Sequence, residues 1–121
     1  MTILRDVALV AAGGAAGCLA RFGVSSVLHR IAFPWATLTV NLAGAFLLGA
    51  SFLGSGMEHP TRMLVAVGFF GGFTTLSTYS VETIELWQEG RIPMAFANVA
   101  LNGLGGPLAA LLGWRLSVLI A

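Results

Sequence analysis

The sequence predicts an all-α membrane protein with four transmembrane helices, the third of them broken near mid-membrane. Three observations carry this reading. The 121 residues are 57% hydrophobic and 9% charged, with a mean hydropathy of +0.90, which is too apolar and too sparsely charged for an ordinary soluble domain. Four apolar stretches, at 7–28, 34–54, 63–81 and 93–114, each approach the roughly 20 helical residues that cross a ~30 Å hydrocarbon core. All three tryptophans, Trp35, Trp87 and Trp114, fall at segment ends, where amphipathic rings favour the headgroup region. Only short loops remain, so residues 1–121 form a single transmembrane domain. Arg5 and Asp6 precede the first stretch, but no A-x-A-like cleavage site follows it, so this stretch is expected to stay in the mature protein.

The first helix carries Gly13 and Gly17 as a GxxxG pair, with Ala12, Ala16 and Ala20 as a small-residue stripe beside them. Such faces let helix backbones approach closely where lipid supplies no hydrophobic drive for association. Arg21 lies about two turns from the end of this helix, where a charge is costly unless it reaches the interface or finds a partner. It is read as a snorkelling residue, a positive charge at the mouth of an anion path, or a tie to loop carbonyls or a carboxylate.

The second helix places Asn41 between small and apolar residues, and Gly44 and Gly49 read as packing positions. The third is the most informative. Gly68, Gly71 and Gly72 with Thr74 and Thr75 disfavour continuous helix, and irregular backbone at bilayer depth survives only when it is buried in protein or lines a cavity or ion site. Carbonyls freed by such a break can coordinate a cation. Thr74, Thr75, Ser77, Thr78 and Ser80 can donate to an anion, and aromatic ring edges can also face one. Glu82 follows the break, with Glu85 and Glu89 spaced along one helix face as solvated helix-end charges.

The fourth helix carries Asn98 and Asn102 one turn apart, and Gly103, Gly105, Gly106 and Gly113 read as packing positions. Pro107 should free the carbonyl of Gly103 and kink the helix or open a local polar spot. The asparagines are interhelical glue or donors to an ion. With many side-chain donors and no acid in the spans apart from Glu82, the inventory suits an anion.

Enzyme chemistry finds no support. Cys18 is the single cysteine, so an intrachain disulfide and a cysteine-based metal site are both excluded. His29 and His59 lie in or beside loops and read as solvated interfacial residues. Four crossings place Arg5, Arg62 and Arg115 on one side of the membrane and Arg30 and Arg91 on the other, with no lysine to break the balance. The positive-inside rule therefore selects no orientation. A chain inserted both ways up would pair antiparallel, with a two-fold axis in the membrane plane.

The motifs Gly-Gly-x-x-Gly-x-x-x-Arg at 13–21, Thr37-Leu-x-Val-Asn-x-x-Gly44 and Gly71-Gly-x-Thr-Thr-x-Ser-Thr-x-Ser-x-Glu82 resemble, in order and over essentially the whole chain, the small bacterial fluoride channels of the Fluc/CrcB family. The resemblance implies an antiparallel dual-topology dimer in the bacterial plasma membrane, with two fluoride pores and a central structural sodium ion. By the same match, the sodium would be held by the carbonyls of Gly71 and Thr74. Asn41 would line the pore, and Leu76, Ser77, Thr78, Tyr79, Ser80, Glu82, Asn98 and Asn102 would line or flank the polar track. Arg21 would belong to the vestibule. Fluoride export would be passive, with no organic cofactor and no nucleic-acid partner. HF enters from acid surroundings and ionises in the neutral cytoplasm, and the membrane potential drives the anion out.

The chain departs from the family pattern at Leu76 and Tyr79, where phenylalanine is usual, at Asn102, where serine is common, and at Pro107. These departures open an alternative, a weakly conducting or non-conducting partner that completes the pore of a paralogue in a heterodimer. A small multidrug antiporter shares the size and the four helices. It would need a membrane-embedded carboxylate in the first helix, where this chain has Arg21.

Overall fold

Hydrocarbon offers no water to backbone N–H and C=O groups, so a chain this apolar must pair them within each segment, and helices do so. The computed structural model describes residues 2–28, 32–54 and 56–120, and the predicted loop residues His29 and Arg30 lie outside these. Four helical runs, Ile3–Val27, Trp35–Gly54, His59–Gln88 and Ile92–Ile120, are long and apolar enough to cross a membrane. The first is α1 (Thr2–Val27). The second is α2 (Trp35–Gly54), which widens to π-type turns over Gly49–Gly54. The third run comprises α3, residues 59–73, with π-type turns over Arg62–Phe70, and α4 (Leu76–Gln88). The fourth comprises α5 (Ile92–Gly103) and α6 (Gly105–Ile120).

The helices run past the apolar stretches of the sequence, because helical hydrogen bonding does not stop where hydrocarbon gives way to headgroups. Three readings change. Asp6 falls within α1, so the first helix does contain an acid, near its start. Asp6 pairs with His59 at 2.8 Å, which ties the beginning of α1 to the beginning of α3 and makes His59 a partnered residue rather than a merely solvated one. Trp114 lies within α6, which continues to Ile120, and the Arg115 guanidinium sits 5.4 Å from its ring centroid.

α1 packs along α3, α2 along α6, and α4 against α5, while α2 also touches α1, α3, α4 and α5. The two long pairings rest on absent side chains. A Cβ at Gly13 would run into the Leu64 carbonyl oxygen, and one at Gly17 into that of Phe69. On the other pair, a Cβ at Gly49 would strike the Ala110 carbonyl and one at Gly113 that of Phe46. Backbone touches backbone in both, as small-residue interfaces in membranes require. The alanine stripe does not join them: Ala12 and Ala16 are exposed. Gly103 and Gly106 also fail as packing positions, with open space where their side chains would be. They flank the interruption at Leu104, just upstream of Pro107, where the missing N–H leaves the Gly103 carbonyl without its helical donor.

The turn between α4 and α5 is a Schellman closure. Gly90 adopts φ +78°, its N–H donates to the Trp87 carbonyl at 3.0 Å, and the Arg91 N–H donates to Leu86 at 2.9 Å. The buried apolar set is small, with Leu38, Val40, Phe70 and Leu86 among its members, while large apolar side chains lie exposed on every helix. This is the pattern expected where lipid is the solvent.

Gly13→Ala and Gly17→Ala should each destabilise the fold by about 1–3 kcal/mol through overpacking. Gly23→Ala, with no atom of the described residues within 4 Å of the added methyl, should be neutral or stabilising by up to about 1 kcal/mol. Thermal unfolding in detergent, followed by loss of the monodisperse species on gel filtration, separates the two classes.

Candidate functional site

Between α3 and α4 the backbone leaves the helical region. Thr74 has φ −89°, ψ 159° and Thr75 φ −151°, ψ 119°. The Thr74 N–H and hydroxyl both donate to the Phe70 carbonyl, at 3.1 and 2.9 Å, which closes α3. The Thr75 hydroxyl accepts from the Thr78 N–H at 3.2 Å and so caps the start of α4.

Two extended residues in an apolar environment need partners for their remaining polar groups, and Asn41 of α2 supplies them at Thr75. Its Oδ1 accepts from the Thr75 N–H at 2.8 Å, and its Nδ2 donates to the Thr75 carbonyl at 3.1 Å. One side-chain amide thus pairs with one residue's backbone as a neighbouring strand would. Gly44, one turn along α2, leaves room for the Thr74 methyl group, which a Cβ there would strike.

The polar chain continues from Asn41. Its Nδ2 also donates to Asn102 Oδ1 at 2.8 Å. Asn102 Nδ2 donates to Asn98 Oδ1 and to the Asn98 carbonyl, both at 3.0 Å. Asn98 Nδ2 donates to the Thr83 hydroxyl at 2.9 Å and lies 3.5 Å from the Tyr79 carbonyl, to which Thr83 donates at 2.7 Å. Asn98 and Asn102 are buried, and every donor of the three amides is used. The structure makes them interhelical ties joining α2, α4 and α5.

The residues singled out from the sequence fall into distinct groups. Asn41, Thr74, Thr75, Leu76, Tyr79 and Asn102 line one pocket of about 380 Å³, with Phe70 in its wall. Ser77, Thr78 and Glu82 line a separate open groove on the opposite face of α4, with Val81 and Glu85. Ser80 is exposed and its hydroxyl donates back to the Leu76 carbonyl at 2.8 Å. Leu76 is 75% exposed. Arg21 reaches neither group. Its Nε donates to the Gly72 carbonyl at 3.0 Å, so of the roles open to it the guanidinium takes that of a tie from α1 to the last turn of α3. Gly71 is exposed and Thr74 half-buried beside it.

Sequence reasoning missed Thr83 and Phe70. Thr83 stands four residues after Tyr79, so its hydroxyl can reach the Tyr79 carbonyl and still accept from a neighbouring helix. Phe70 stands four residues before Thr74, which marks its carbonyl as the acceptor that ends α3.

Four helical runs long and apolar enough to cross a membrane, cross-tied by buried amides, define a multi-pass membrane protein. A family model described as CrcB-like protein, Camphor Resistance (CrcB), matches residues 8–114, and the chain belongs to this family. It is 54% identical over 120 residues, 92% of this chain and 97% of the relative, to "Fluoride-specific ion channel FluC 1" of Natronomonas pharaonis. It is 42% identical over 113 residues, 93% of this chain and 91% of the relative, to "Fluoride-specific ion channel FluC 2" of Haloarcula marismortui. A third relative, "Fluoride-specific ion channel FluC" of Geobacter sulfurreducens, is 36% identical over 125 residues, 98% of each chain.

Thr75→Val removes the hydroxyl that caps α4 and should cost about 0.5–2 kcal/mol, whereas Thr75→Ser should retain most of it. The two melting curves, measured side by side in detergent, check this.

Proposed function

We propose that this chain is a fluoride-selective channel that passes the anion down its electrochemical gradient and out of the cell across the plasma membrane. The observation that carries the reading is the polar break itself. An apolar protein holds the Asn41 amide at the wall of a pocket, beside Thr75 and Tyr79, where neutral donors can replace part of the hydration shell of an anion without a fixed charge to trap it. The names of the relatives supply the ion. The membrane potential supplies about 2.3 kcal/mol per elementary charge for each 100 mV, which suffices for export without coupling to another solute.

A pair of antiparallel copies completes the proposal. The balanced arginines permit both orientations, and Leu76, Ser77, Ser80 and Val81 of α4 are exposed to a partner. A structural sodium ion suits the break. The Thr75 N–H, which in a continuous helix would bond to the Gly71 carbonyl, bonds instead to Asn41 Oδ1. The Gly71 oxygen is thereby released, and the Thr74 carbonyl, three residues on, lies in extended backbone, so the two offer hard oxygen ligands of the kind a small hard cation takes. When bound, the ion would supply positive charge that joins two such breaks.

A second reading draws on Leu76. An exposed aliphatic side chain offers no positive ring edge to an anion, and a chain of this kind can serve as the partner that completes a paralogue's pore in a heterodimer. The small multidrug antiporter loses further ground, since the acid of α1 is Asp6, paired with His59 near the helix start.

Purified protein alone in liposomes should release fluoride and retain chloride. Folded protein that releases neither would overturn the self-sufficient channel and favour the heterodimer. Asn41→Asp replaces the Nδ2 donor with a carboxylate that faces the Thr75 carbonyl and Asn102 Oδ1, and should cut fluoride efflux at least about tenfold, equivalent to about 1.4 kcal/mol of added barrier. Leu76→Phe should preserve or raise the rate of efflux in the same assay, and a large loss would instead assign Leu76 to local packing.

A further inference from the structure

The amide chain has one direction, and a backbone group sets it. The Thr75 N–H can only donate, so the atom of Asn41 that faces it at 2.8 Å is the oxygen. Asn41 Nδ2 then faces Asn102, whose nearest atom at 2.8 Å must be an acceptor, Oδ1. That choice turns Asn102 Nδ2 onto Asn98 Oδ1 and the Asn98 carbonyl. Reversing any member would set donor against donor or oxygen against oxygen. One hydrogen of Asn41 Nδ2 is therefore held by the neutral oxygen of Asn102 and the other by the Thr75 carbonyl.

We infer that Asn102 Oδ1 is an internal competitor for the anion and sets how tightly an anion is held at Asn41. The inference rests on the fluoride reading of this site and deepens it. Both residues line the same pocket, so an ion reaching Asn41 through it meets a donor already in use. To bind on the Asn102 side, the ion must take the hydrogen from Asn102 Oδ1 and leave that oxygen without it in a buried position. Only an acceptor stronger than a carboxamide oxygen gains by the exchange. Fluoride is small, hard and a strong hydrogen-bond acceptor, whereas chloride is larger and weaker and recovers less than the displaced bond. Asn102 thus lowers the affinity of Asn41 for every anion by the same amount, and the preference for fluoride comes from the strength of the acceptor itself.

The competition also defines how the site resets. When fluoride leaves, Asn102 Oδ1 is still aimed at Asn41, because its own Nδ2 stays on Asn98 throughout. The donor is recaptured without rearrangement of the helices. An ion held by a donor with a waiting replacement leaves more readily than one held by a donor with none, and conduction requires that departure as much as entry.

The test is fluoride and chloride efflux from liposomes as a function of internal anion concentration, on the full chain. Asn102→Ala removes the competitor and should lower the half-saturating fluoride concentration about fivefold, the factor that one net hydrogen bond of about 1 kcal/mol represents, while the preference for fluoride over chloride is retained. Asn102→Ser, whose hydroxyl is carried on a shorter side chain, should move the half-saturating concentration in the same direction and covers the case in which the alanine variant does not fold. Asn102→Asp keeps a stronger acceptor against Asn41 and should raise the half-saturating concentration. Opposite shifts from one position do not follow from general destabilisation. In the wild type, fluoride titration should move the side-chain carboxamide NMR resonances of Asn41 and Asn102 together. An unmoved Asn102 resonance, or an unchanged or raised half-saturation in the alanine or serine variant of a protein that conducts fluoride, overturns this inference alone. A wild type that conducts no fluoride overturns the channel reading with it.

Discussion

The structure depends on the pairing of one side-chain amide with one backbone residue, Asn41 with Thr75. A break in a helix at membrane depth exposes polar groups at several kcal/mol each, and the run of glycines and threonines before α4 makes such a break hard to avoid. Asn41 repays this with two bonds to Thr75. Aspartate at that position would lack the donor, leucine would lack both groups, and glutamine would carry them one methylene farther from α2. Because Asn41 shares its second hydrogen with Asn102, the break on one side and the α4–α5 hairpin on the other are held by the same residue of α2.

Reach sets the second constraint. An asparagine side chain is short, so α2 must lie close to the α3–α4 break, and Gly44 permits it by receiving the Thr74 methyl. Gly13 and Gly17 bring α1 to the backbone of α3, and Gly49 and Gly113 bring α2 to α6. These contacts lie away from the polar chain, yet they hold in place the helices that the chain joins. Packing by small residues and bonding by amides are two parts of one arrangement, since lipid offers neither hydrophobic drive nor hydrogen bonds to hold helices together.

Much of this was legible from residues 13–21, 37–44 and 71–82. Membrane class followed from composition, the packing faces from Gly13, Gly17, Gly49 and Gly113, and the irregular backbone from Gly71, Gly72, Thr74 and Thr75. What sequence could not give was the partner of each donor. Asn41, Asn98 and Asn102 read equally well as ion ligands or as helix ties, because spacing along one helix says nothing of what the adjacent helix presents. Arg21 was open for the same reason until the Gly72 carbonyl was seen beside it. The alanine stripe and Gly103 and Gly106 misled because smallness permits close approach without requiring it. Thr83 carries only the local signal of a hydroxyl four residues after Tyr79, and its role as an acceptor appears only where α4 meets Asn98.

The two half-helices at the break give the position of Arg21 an electrostatic meaning. α3 ends there with the partial negative charge of its carbonyls, and α4 begins with the partial positive charge of its N–H groups. An anion near the break would meet both, and the two would largely cancel. Arg21 lies on the α3 side, with its guanidinium on the Gly72 carbonyl, and offsets the negative end. On the α4 side the Thr75 hydroxyl takes up the Thr78 N–H without adding charge. By this dipole argument the positive end of α4 is offset less than the negative end of α3, although no cationic side chain among the described residues lines the pocket. A field made in this way favours an anion along the proposed path without the deep well that a pore-lining arginine would create, and so serves passage better than capture.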